Sequence, residues 1–239
     1  MKYYAKKGQM DFGESIGVIM LDTFTPFIPG DVGNANTFSF PVRYEKVEGL
    51  TVQKMMKEDD LYYESLLEAG NKLARHGVKA ITGDCGYMAI FQEKLVDDLK
   101  IPVFLTSLLQ LHFLKHLIGK KEKIGVITAN SNLLDQRLLQ TIGIDESFPI
   151  VIKGLEKEKH FHDFAIKESG FLYKQKVEEE VVHVAEKFVT EHPSMKMILL
   201  ECSMLPPYAK ALQDKVKLPV YDYASMINYV QSGLVQSVY

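Results

Sequence analysis

The stretches 85-CGYMAIFQEKLVDDLKIPV-103 and 202-CSMLPPYAKALQDKVKLPV-220 hold the only two cysteines of this chain. Pro102-Val103 and Pro219-Val220 stand equally far beyond Cys85 and Cys202, each behind a lysine and one apolar residue. An acid precedes each cysteine, Asp84 in one stretch and Glu201 in the other, and an apolar run precedes each acid. A match in both gap and composition is harder to meet by chance than a match in composition alone. The likeness extends backwards, because IGVI at 16–19 opens the first apolar strand and IGVI at 124–127 opens the middle one. Each half reads strand, long insert, helix, strand, cysteine, helix, Pro-Val strand. Internal duplication explains this better than chance likeness between two ordinary strand–helix–strand units.

Val- and Ile-rich runs at 15–21, 78–83, 101–106, 123–129, 149–154, 195–201 and 218–223 mostly lack polar alternation. They predict strands buried on both faces of a parallel sheet. Leu66, Ala69, Gly70 and Leu73 share one helical face that stops at Gly77, and Val181, Val184, Ala185 and Phe188 share another that stops before Pro193. Strand alternating with helix predicts an α/β protein. The apolar segment 107–119 predicts a helix carrying the chain from one lobe to the other, either packing a face against a second subunit or serving simply as a core helix. The expected lobes are 1–106 with 220–239, carrying Cys85, and 107–219, carrying Cys202.

The 239 residues carry a net charge of −3, with no basic surplus to suggest nucleic acid or an anionic membrane as partner. The first residues, MKYYAKKGQMDFGES, contain no apolar signal-peptide core, and no apolar run approaches the about 20 residues of a membrane span. The expectation is a soluble cytoplasmic protein whose two cysteines remain thiols.

Ligands of parallel α/β sheets bind beyond the carboxyl ends of the strands, where Cys85 and Cys202 fall. A helix starting just after each thiol offers free N–H groups and a positive dipole end, which favours thiolate. Two such groups on opposite faces of one carbon suit proton removal on one side and delivery on the other. A lone cysteine is more often core filling. A matched pair at strand ends points to function.

The pair GDCGYM (83–88) and LECSML (200–205) resembles the aspartate/glutamate racemase superfamily over nearly the whole chain. That group includes aspartate, glutamate and hydantoin racemases, maleate isomerase and arylmalonate decarboxylases. The resemblance implies two flavodoxin-like lobes related by a pseudo-twofold axis, an active site in the cleft between them, no cofactor, and a homodimer or higher homo-oligomer. It implies Cys85 and Cys202 as catalytic thiols, with Gly86, Tyr87, Ser203 and Met204 supplying backbone amides and Thr128-Ala129-Asn130 a substrate-binding loop. The expected function is a cofactor-independent racemase acting on a small carboxylate compound, an amino acid such as aspartate or a derivative. The alternatives are a hydantoin racemase, a maleate-type isomerase, or a non-catalytic small-molecule binder. Glutamate racemases read Cys-Asn-Thr and Cys-Thr-His at the two thiols, whereas this chain reads Cys85-Gly86-Tyr87 and Cys202-Ser203-Met204, which points away from glutamate.

Asp84 and Glu201 are expected either to point away along their strands or to orient a substrate ammonium, and alternation along a strand favours the first. The irregular loop 22–44 follows the first strand and should lie over the cleft. Within it Asp22, Asn34, Asn36 and Thr37 are candidates for substrate contact and Arg43 for pairing with a carboxylate, although turn-making is the simpler reading of any one of them. The segment 158–176 holds the equivalent place in the second half. His160-Phe161-His162-Asp163 lacks a third ligand at a recognisable spacing, so no metal is expected.

Overall fold

The computed structural model describes residues 2, 4–5, 7–57 and 59–236. In the first half β1 (Ile16–Met20) lies between β2 (Val42–Lys46) and β3 (Ala80–Gly83), all parallel. α1 (Val52–Lys57) and α2 (Asp59–His76) connect β2 to β3. Beyond β3 a 3-10 turn (Gly86–Phe91) runs into α3 (Gln92–Asp98). A second 3-10 turn (Ser107–Gln110) and α4 (Leu111–Leu114) lead to the other half.

There β4 (Lys123–Thr128), α5 (Gln136–Gln140) and β5 (Ile150–Gly154) follow in order. α6 (Lys159–Phe161) passes into a π turn (His162–Ile166) and then α7 (Lys174–Glu191). β6 (Met195–Leu200), α8 (Pro206–Val216), β7 (Val220–Tyr221) and α9 (Tyr223–Leu234) complete the chain. The second sheet has the parallel order β5-β4-β6-β7. The first has β2-β1-β3, with a parallel bridge from Ile81 to Val103 in the place that β7 occupies. The protein is therefore α/β, with two parallel sheets of matching order.

The repeated motifs coincide with repeated hydrogen bonds. The Ile81 N–H donates to Pro102 O and the Ile198 N–H to Pro219 O, both at 2.9 Å. A proline carbonyl still accepts although its nitrogen cannot donate, so each Pro-Val closes its sheet from the edge. The Asp84 N–H donates to Ile19 O at 3.0 Å and the Glu201 N–H to Ile127 O at 2.8 Å, which fixes each acid–cysteine pair to the end of an IGVI strand. The shared glycine of IGVI has a physical reason as well. A Cβ at Gly17 would press on Leu73 of α2, and one at Gly125 first on Met195 and then on Phe188 of α7. The helix over each central strand thus packs onto bare backbone. Ile16, Val18 and Ile19 are fully buried, each such side chain contributing about 2 kcal/mol by its removal from water.

Several expectations are corrected. The run 101–106 forms only the bridge at Val103, and 218–223 only the short β7. The segment 107–119 is not one helix but a 3-10 turn and the single turn of α4. β2 lies partly within the expected loop 22–44, and its alternating polar residues suit the edge position beside β1. At the C-terminus Val220 and Tyr221 pair with β6, whereas Tyr223, Met226 and Ile227 of α9 pack with Ile16, Val18 and Ala80 of the first sheet. Among the described residues no helix is long and apolar enough to cross a membrane.

Candidate functional site

Cys85 and Cys202 line one cavity of about 200 Å³ between the two sheets' carboxyl ends. Cys85 is partly exposed and Cys202 buried. Each occupies the same local frame: the Met88 N–H donates to Cys85 O at 3.0 Å and the Leu205 N–H to Cys202 O at 3.1 Å. The backbone N–H of Tyr87 favours the Cys85 thiolate, and that of Met204 favours the Cys202 thiolate.

The helix after each thiol does not act as expected. Cys85 caps a six-residue 3-10 turn, and Cys202 is separated from α8 by a short turn. Burial pushes both thiols up, and the Glu201 carboxyl pushes both further. Desolvation and like charge thus outweigh the backbone donors.

The two flanking acids have different fates. Asp84 lines the cavity, and its Oδ1 accepts the Leu21 N–H at 3.0 Å. Burial pushes its pKa up to about 7, with Glu168 adding to the rise and the Leu21 N–H opposing it. Glu201 is 1 % exposed and does not line the cavity. Its Oε2 accepts from Thr128 Oγ1 at 2.7 Å, while its Oε1 is buried without a partner. Burial pushes its pKa up to about 7. Pointing away describes Glu201, and for Asp84 the expectation is corrected.

Asp84, Tyr87, Ala129, Asn130, Ser203 and Met204 join the thiols around the cavity. Asp22, Gly86 and Thr128 do not. Asp22 is turned toward its own loop, where Oδ2 accepts the Gly49 N–H at 2.8 Å and Oδ1 pairs with Lys46. A Cβ on Gly86 would overlap the Glu201 carboxyl, so Gly86 is there to admit that group. Thr128 lies beneath the cavity between Glu201 and the Tyr87 hydroxyl. Tyr87 is a tie between lobes: its hydroxyl accepts the Asn130 N–H at 2.8 Å and donates to Asn130 O at 2.9 Å. The Ser203 hydroxyl donates to Asp84 O, a second tie.

Other candidates are spoken for. Arg43 pairs with Asp11 and Glu14. Asn34 donates to Phe27 O at 2.8 Å and orders the Asn36 N–H, and the Thr37 hydroxyl accepts the Gly30 N–H. His160 bonds Glu180 at 2.7 Å. The reading from sequence missed Thr23, Thr25, Phe27, Lys167 and Glu168 in the cavity wall. Their signal was a long irregular segment after a strand in each half, but the one at 158–176 follows the edge strand β5 rather than the equivalent of β1, so the two segments do not hold equivalent places. Thr23 Oγ1 and Thr25 Oγ1 are buried with no partner, so two hydroxyls in the wall are uncommitted. The Phe24 N–H donates to Glu168 Oε2 at 2.9 Å, and the Phe24 ring sits on Gly170, so the two segments meet over the cleft.

No protein-family model matches the chain. A dimethylsulfoniopropionate lyase of Durusdinium sp. clade D is 32% identical over 232 residues, which cover 93% of this chain and 76% of that protein. Dimethylsulfoniopropionate lyase 3 of Emiliania huxleyi (strain CCMP1516) is 31% identical over 233 residues, covering 93% of this chain and 60% of that longer protein. Among solved structures, unliganded arylmalonate decarboxylase superposes with a TM-score of 0.62 at 15% identity, over 94% of both chains. A glutamate racemase isoform of Bacillus anthracis gives 0.60 at 15% identity, over 93% of this chain and 82% of that one. The fold is that of the aspartate/glutamate racemase superfamily. The expected racemase function is overturned, because the curated relatives by sequence are lyases. The same finding sets aside hydantoin racemase and maleate-type isomerase.

Proposed function

Since the chain belongs to the family of the dimethylsulfoniopropionate lyases, we propose that it is an enzyme that cleaves this sulfonium carboxylate, or one closely like it, by β-elimination. The substrate is a zwitterion with a carboxylate at one end and a dimethylsulfonium on the β-carbon. A thiolate takes a proton from the carbon α to the carboxylate. The released electron pair forms the α,β double bond, the carbon–sulfur bond breaks, and dimethyl sulfide leaves with that bond's pair. The products are acrylate and dimethyl sulfide, and the proton remains on the cysteine sulfur. Removing a proton α to a carboxylate is the step that racemisation also begins with, which accounts for an elimination on this fold.

The observation that carries this reading is that both thiols share one cavity with the carboxyls of Asp84 and Glu168 and the ring of Phe27. Carboxylates and an aromatic face suit a sulfonium cation. The unpartnered hydroxyls of Thr23 and Thr25 suit the substrate carboxylate. Elimination needs one base, so the two cysteines take unequal roles, unlike the paired roles of a racemase.

Purified protein supplied with dimethylsulfoniopropionate should release dimethyl sulfide and acrylate in equal amounts. Of Cys85→Ala and Cys202→Ala, the variant lacking the base should lose release by about 10²-fold or more, and the other should lose less. Absence of release from wild-type protein, or equal release from both variants and wild type, overturns the proposal.

A further inference from the structure

Glu201 belongs to the second half but is wedged against the first. Its carboxyl lies where a side chain on Gly86 would be, and its backbone oxygen would stand 2.8 Å from a Cβ there. Gly86 directly follows one thiol, and Glu201 directly precedes the other. The carboxyl has one donor, the Thr128 hydroxyl, and a second oxygen with none although it is buried. A buried carboxylate without donors is costly, so something must offset its charge whenever it forms.

Among the described residues, the groups that act on the two thiols and this carboxyl are acids and hydroxyls; Lys167 also lines the cavity, but its Nζ pairs with Asp163 at 3.0 Å. Asp84 stands at the end of β3 and Asp31 in the loop after β1. Tyr87 is on the 3-10 turn, Tyr208 on α8 and Tyr223 on α9. The proposed substrate brings a cation into this surrounding.

We propose that Glu201 is a positioning residue that couples thiol ionisation to cation binding: its half-unpartnered carboxyl is lodged against Gly86, next to both thiols, and a bound sulfonium offsets its charge. The base is then formed where its substrate is, and the empty enzyme does not expose a thiolate to oxidants or stray electrophiles. Burial and the Glu201 carboxyl both push the thiols up, as this arrangement requires. The coupling rests on the lyase reading only for the identity of the cation. The hold of Glu201 on the thiols does not.

The test follows thiolate by its ultraviolet absorbance across pH in wild-type protein, Glu201→Gln and Thr128→Val. The probe is dimethylsulfonioacetate, whose carboxylate is on the sulfonium-bearing carbon, so it has no β-elimination. A comparison that keeps the carboxylate but lacks the sulfonium cation is 3-methylbutanoate, similar in shape. Without ligand, Glu201→Gln should move the thiol midpoint down by about one pH unit, with about tenfold more thiolate below it. Thr128→Val removes the carboxylate's donor and should shift the midpoint the same way by less. In wild type the cationic probe should lower the midpoint and 3-methylbutanoate should not; in Glu201→Gln the cation effect should shrink. Ligand-free titrations that coincide in wild type and Glu201→Gln, or a wild-type titration unmoved by the cationic probe, overturn the proposal. If these shifts appear while dimethylsulfoniopropionate gives no dimethyl sulfide, the lyase reading fails and the coupling stands.

Discussion

Gly86 shows how much one missing side chain can decide. The Glu201 carboxyl fills the space a Cβ would take, and Glu201 is backed by Thr128 and the end of β6. Gly86→Ala should therefore force the lobes apart locally. We expect a loss of about 1–3 kcal/mol in denaturant unfolding, with a larger proportional loss of dimethyl sulfide release. The cysteines themselves were legible in the sequence because the duplication marks them twice. The acids beside them were not, although they occupy matching positions. What each acid does depends on what the opposite half presents to it, and strand alternation carries no information about the other sheet. Asp22 was misplaced for a related reason, since Lys46, which pairs with it, ends an unforeseen strand, and Gly49, which donates to it, lies in the turn just after.

At the scale of elements, the Pro-Val segments are held differently despite their common origin. β7 pairs with β6 over two residues, whereas residues 103–105 meet β3 only at the Ile81–Val103 bridge and are clasped in addition by Gln92. The Gln92 side chain donates to Val103 O at 2.9 Å and accepts the Leu105 N–H at 2.8 Å, bridging α3 to a segment too irregular to form a ladder. Gln92→Leu leaves two buried backbone groups unpaired and should cost about 2–4 kcal/mol, read from the urea midpoint. Such a clasp cannot be inferred from apolar periodicity, which is why 101–106 read as an ordinary strand. The two long segments over the cleft show the same limit. A place over the cleft was foreseen for 22–44, but not that 158–176 reaches it from the edge strand β5, nor the contact between the Phe24 N–H and Glu168, which holds its own backbone at φ 53°. Glu168→Ala removes that contact and one wall carboxylate together. KM for the sulfonium substrate should rise by about tenfold, with kcat changed less, in steady-state assays of dimethyl sulfide.

For the molecule as a whole, Asp31, Asp84 and Glu201 are buried carboxyls whose pKa values burial has raised, to about 8 for Asp31 and about 7 for the other two. Their ordinary values are 3.8 for aspartate and 4.5 for glutamate, so between those values and about 8 the folded state binds more protons than the unfolded one. Their contribution to stability is complete below the ordinary values and is lost as pH rises through about 7 and then about 8. The melting temperature should fall over that range, and Glu201→Gln should flatten the fall; calorimetry at stepped pH checks both. The two-sheet architecture was the part most legible in the sequence, because repeated strands of buried Val and Ile leave few other solutions. Where the polypeptide changes sheets is a further matter. It does so once near Ser107–Gln110 and again at Asp222, and Gln110 Nε2 stitches the two sites together by donating to Asp222 O at 2.9 Å. Both crossings thus lie along one narrow seam, like the spine of a book. Stiffening that spine with a covalent staple should slow turnover of the proposed substrate without touching a single group that lines the cavity, because the two halves are joined there.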